Sequence, residues 1–197
     1  MTRNAQKKMR KLALMMCSAV LLVCVSIGAT LAYLTSQDAV TNSFTVGNVK
    51  ITLDEADVNK DGTPIPNAGR VKSNEYHLIP GRSYTKDPTI HVDQKSENCW
   101  LFVKLENGIS AIEKSGSTTI AAQMARNGWT AVSGATNVYA YNAIAKAGDN
   151  VPVFGSFVID GKSAVSGYAN AKITVTAYAV QAEGFATPAA AWAVLSE

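Results

Sequence analysis

Past its first 32 residues the chain has one cysteine, Cys99, because Cys17 and Cys24 both lie in the opening apolar run. No internal disulfide can form there, so that part must be held by its core. Histidine is nearly as scarce, with only His77 and His91. No His-Glu-x-x-His helix occurs, so two zinc ligands one turn apart are missing. There is also no Gly-x-Ser-x-Gly elbow and no phosphate loop. Acids such as Asp87 and Asp93 lie near the histidines, but their spacing follows no ligand pattern. Cys99 and a distant His formally make a nucleophile pair. The thiol, however, sits beside Trp100 in an apolar run, where a free cysteine packs as a small hydrophobe. Pairing with a second chain is the alternative. No catalytic or cofactor-binding set emerges, and the chain reads as a non-enzyme without a cofactor.

A basic surface is lacking too. The 18 Lys+Arg outnumber the 15 Asp+Glu, for a formal charge of +3. Five of the bases are Arg3, Lys7, Lys8, Arg10 and Lys11, in an opening stretch without an acid. The remaining thirteen bases face all fifteen acids, a net of −2. The positive charge is therefore a property of the leader. No Lys/Arg cluster is left to neutralise phosphates, which excludes nucleic acid as a partner.

What is present begins with that leader. The basic stretch runs into apolar residues from Leu12 to Ile27, then small residues, then Leu31-Ala32. This is the layout of a secretory signal. Thr30 and Ala32 supply the small side chains a signal peptidase needs, placing the cut between Ala32 and Tyr33. Residues 1–32 are then a cleavable signal, and 33–197 one secreted domain with an extended segment at 33–43. An uncleaved anchor is the other reading, since Leu12 to Leu34 is uncharged and about 20 apolar residues span a bilayer. Membrane contact is expected only through the uncleaved signal.

The 165 residues that follow suffice for one core. Strand patterns cover Val40 to Leu53, with a change of phase at Gly47-Asn48 that suggests a bulge. Residues 54–76 read as a polar loop. Tyr84 to Val92 reads as one arm, with Pro88 marking an edge or a strand start. Cys99 to Leu105 is apolar on both faces at its start, as in a central strand. Val138 to Tyr141, Val151 to Ile159 and Ile173 to Val180 follow. One helix is expected over Thr118 to Arg126, stopped by Asn127-Gly128, and a short one after Thr187-Pro188. Six or more short strands with few helices predict a mainly β, two-sheet sandwich.

One segment resembles the start of a calcium loop. Asp57, Asn59 and Asp61 alternate and Gly62 follows, as a sharp turn requires. The twelfth position is Ala68, where a bidentate Glu is wanted, so the segment is at most a weak calcium site and otherwise an acidic turn.

Residues 28–55, GATLAYLTSQDAVTNSFTVGNVKITLDE, resemble the start of the TasA/camelysin (CalY) family of Gram-positive secreted proteins. The matching elements are Thr30, Ala32, Tyr33, Asn42, Phe44 and Gly47. A second match is Leu78-Ile-Pro80-Gly81 leading to Thr85-Lys86-Asp87, then Glu97-Asn98. Residues 110–197 match only in general character. The resemblance implies export with trimming by a SipW-type signal peptidase and a jelly-roll-like fold. It further implies a biofilm matrix subunit that self-associates into fibres, an N-terminal segment of one subunit completing a sheet in the next. Other matrix proteins are further partners it allows. Some members are classed as cell-surface metallopeptidases, but no zinc motif is present here. A monomeric secreted binding module is the remaining alternative.

Overall fold

The computed structural model describes Lys7 and residues 48–195. Thr30, Ala32, Tyr33, the 33–43 segment and the expected strand from Val40 through Gly47 lie outside the described residues. The chain divides into two units, 1–45 and 46–197. The strands of the second are β1 (Ile51–Ala56), β2 (Arg70–Val71), β3 (Ser83–Thr85), β4 (Thr89–Val92), β5 (Cys99–Asn107), β6 (Trp129–Ala131), β7 (Val138–Tyr141), β8 (Asn150–Pro152), β9 (Ser156–Val158) and β10 (Ile173–Gln181). Helix α1 spans Ile120–Arg126 and α2 spans Pro188–Leu195.

The strands form a mainly β sandwich. One sheet has the order β2-β1-β4-β8, the other β10-β5-β7-β6, and β3 pairs with β9 alongside. Every pairing is antiparallel. The core lies between the sheets: Ile90, Val92 and Val151 from the first meet Leu101, Val103 and Leu105 from the second. Each such side chain contributes about 1.5–3 kcal/mol on burial. The second sheet has an apolar outer face as well, with Trp100 and Phe102 covered by α2 through Ala191 and Trp192. This is why β5 begins apolar on both faces, as its pattern predicts.

Both helices start, and the first also stops, as their sequences require. Thr119 Oγ1 accepts from Ala122 N at 3.2 Å at the start of α1, and Asn127-Gly128 stops it with Gly128 at φ 86°. Thr187 Oγ1 accepts from Ala190 N at 3.3 Å ahead of Pro188.

Four expectations need correction. The Tyr84–Val92 arm is two strands in different sheets, because the chain breaks at Lys86–Pro88, where Lys86 turns inward to an acid and the Pro88 carbonyl accepts from Val153 N at 2.8 Å. Val151–Ile159 is likewise two strands, β8 and β9, bent where Val153 and Phe154 bury themselves in a corner. The polar stretch 54–76 is not all loop: β1 continues to Ala56 and β2 pairs with its end. A further strand, β6, stands where no pattern announced one.

Candidate functional site

Antiparallel ladders alternate, so one observed bond fixes which residues turn their backbone toward a partner. Asp93 N donates to Lys50 O at 2.9 Å. With Thr52 opposite His91 and Asp54 opposite Thr89, the even residues of β1 bond to β4. Ile51 and Leu53 then turn their N–H and C=O away from it. On that side β2 reaches only Glu55 and Ala56.

Strand β10 alternates in the same way. Gly108 N donates to Lys172 O at 2.8 Å, and Ala182 N to Asn98 O at 2.8 Å. Even residues bond to β5, so Ile173, Val175, Ala177 and Ala179 aim their backbone groups outward. Among the described residues no strand pairs with that edge, which is nine residues long. The side chains of these four residues point to the core yet are only half-buried, as are Ile51 and Leu53.

A cleft of about 1140 Å³ lies between these two edges, bordered by Leu53, Asp54, Ile173 and Val175. Phe157 and Ile109 contribute apolar wall, and residues 72–78 form a strap along one rim. Its buried polar side chains all have partners. Glu55, 4% exposed, pairs with Lys86, and its other oxygen accepts from Asn74 Nδ2 at 2.9 Å. Asn74 also donates to Ala56 O and accepts from Val58 N. Tyr76 donates to Thr85 O at 3.0 Å. Burial first, then the charges of Glu55 and Asp87, push its phenol well above the ordinary range.

Behind the cleft, Arg70 bridges Asp54 and Asp87. His91 touches Asp54 Oδ1 through Nε2 at 2.8 Å and Asn150 through Nδ1. Burial works against the Asp54 charge, but the bonds from Arg70 and His91 outweigh it and hold its pKa below the ordinary value.

The residues singled out in the sequence are scattered. Asp57, Asn59 and Asp61 share one hairpin turn, closed by Ile65 N to Asp57 O at 3.0 Å. Asp61 Oδ1 accepts from Thr63 N, and Oδ2 takes Arg82 at 2.8 Å. Gly62, at φ +81°, lies so close to Tyr84 that a Cβ would sit 2.7 Å from it. The turn is thus clamped to β3. His77 is on the strap and His91 on β4, and His91 meets Asp54 rather than Asp87 or Asp93. Among the described residues no group of three or more His, Cys, Asp or Glu is placed to hold a metal. Cys99 is fully buried, which together with the Asp149 charge lifts its thiol to about 11.

Sequence reasoning missed the Glu55–Lys86–Asn74 cluster. Its signal was present: Glu55 has the parity of Ile51 and Leu53, which places it inside. The cleft itself had no local signal, because its two edges are about 120 residues apart in the chain. No family model matches this chain, and no curated protein or solved structure matches it.

Proposed function

We propose that this protein is a secreted structural subunit of an extracellular biofilm matrix, and that it joins copies of itself by accepting a donated strand at the free edge of β10. One observation carries the reading: a nine-residue edge strand whose outward amides and carbonyls have no strand partner among the described residues, above a half-buried apolar row. Exposed edges of this length are hazards that native sheets normally shorten or cover. Main-chain pairing at such an edge supplies affinity, and side-chain pockets supply selectivity. The donor in this reading is the segment freed by cleavage before Tyr33. The signal-like opening of the chain and the resemblance of residues 28–55 to matrix proteins support the same assignment.

The test is removal of residues 33–42 from the secreted form. The unit that remains has its own core. Intact protein is expected to sediment as large assemblies and to show fibres by electron microscopy, while the shortened form stays monomeric. Equal polymerisation of both would refute donation by this segment.

A further inference from the structure

We infer that Lys72 determines which of the two open edges takes a strand. This rests on the strand-addition reading above and names the residue that selects the edge. The register of β2 on β1 sets Val71 opposite Glu55. Continued, it would set Ser73 against Leu53 and Glu75 against Ile51. The pairing instead stops at Val71, and the side chain of Asn74 is drawn to Glu55, Ala56 O and Val58 N at 2.9–3.0 Å. Leu53 O is left facing the cleft, and Lys72 Nζ donates to it at 2.5 Å.

That ammonium substitutes for a strand amide without offering the next pairing position. It is a compact, hydrated charge on a flexible stem. A strand pairing at Leu53 must displace it and then lie beside it. Lysine on an edge is a recognised means of discouraging pairing. Among the described residues no side chain bonds an outward carbonyl of the β10 edge. Its alternate side chains Thr174 and Thr176 are exposed and uncharged, and Lys172, just ahead of it, lines the cleft with no bond to an outward group of that edge. An incoming strand is therefore turned away from β1 and directed to β10.

Amide hydrogen exchange on the secreted protein, before and after assembly, reads the edge directly. Wild type, Lys72→Met and Lys72→Arg are compared. Lys72 is exposed, so the variants keep their fold, which a thermal melt checks. In wild-type assemblies the amides of Ile173, Val175 and Ala177 should slow by about tenfold or more, while those of Ile51 and Leu53 stay as in the monomer. Lys72→Met should add slowing at Ile51 and Leu53, through a second mode of association. Lys72→Arg should behave as wild type. Slowed exchange at Ile51 and Leu53 in wild-type assemblies, or no change there in Lys72→Met, overturns the inference. Should wild type fail to assemble, strand addition falls by itself. Association of Lys72→Met through slowed Ile51 and Leu53 amides would still uphold the guard, and its absence would overturn it.

Discussion

The two sides of the sandwich are finished in opposite ways. On the side of β6 and β8, both strands are three residues long and β8 ends in Pro152. Side chains tie the sheets together there: Trp129 Nε1 donates to Pro152 O at 3.0 Å, and Asn127 Nδ2 to Val153 O at 3.1 Å. Gln123 of α1 donates to Ser156 O and accepts from the amides of Gly155 and Ser156. On the side of β1 and β10, a long edge and a guarded edge border a cleft, and the apolar rows beneath are half-buried. The first side uses two of the devices that blunt edges, short strands and a proline; on the second, nine residues of β10 have no outer strand partner among the described residues. Such a local departure, in a fold that is otherwise consistent, is where a functional surface is to be sought.

Substitutions on the two sides should therefore separate stability from association. The largest stability losses belong to groups that are fully enclosed. Trp129→Ala removes an indole that is 3% exposed and the Pro152 bond, and should lower the unfolding free energy by about 3–5 kcal/mol. Lys86→Met should cost a similar amount, about 3–5 kcal/mol, because Glu55 is left as an unpaired buried charge. Urea unfolding monitored by tryptophan fluorescence measures both. A loss of under 1 kcal/mol in Trp129→Ala would mean that the closed side is not closed by this residue.

Ala177→Pro probes the open side. The Ala177 N–H points away from β5, so proline removes no bond of that ladder, as is tolerated on edge strands. Stability should fall by no more than about 1–2 kcal/mol, while assembly, followed by sedimentation, should be abolished. Retained assembly in a folded variant would separate β10 from association.

Smaller still is the effect at Asp54. Its pKa in the folded state is depressed, so its contribution is fully present above the unfolded value of about 3.9 and is lost as pH falls through the lower folded value. Asp54→Asn should flatten the acid limb of the stability–pH curve, by about 1 kcal/mol since the site is partly exposed. An unchanged acid limb would remove Arg70 and His91 as its cause. The least affected group is Cys99. Buried and titrating at about 11, it should resist a thiol reagent at pH 8 in the folded protein and react promptly in denaturant; prompt reaction without denaturant would show that the core opens beside it.

The parity of β10 is legible in the sequence alone: Ile173, Val175, Ala177 and Ala179 alternate with Thr174, Thr176, Tyr178 and Val180, and the former row packs on the main core. The starts of the two helices and the stop of the first are legible for the same reason, being interactions within four residues. The division of Tyr84–Val92 is legible only at Pro88, which marks an edge or a strand start, and β4 begins at the next residue. Both halves alternate acceptably, and only Glu55, some 30 residues earlier, gives Lys86 a reason to turn inward. The acidic turn from Asp57 to Asp61 can be read as a turn, but its attachment to Arg82 and Tyr84 cannot.

Local chemistry thus set the caps, the turns and the face on which each strand residue lies, because each depends on neighbours a few positions away. Tertiary packing chose which strands lie side by side, where two apolar runs bend between sheets, and which edges have no strand partner among the described residues. An edge is defined by the strand that is missing beside it. Alternation along one segment states where its side chains point and carries no information about who sits next to its backbone.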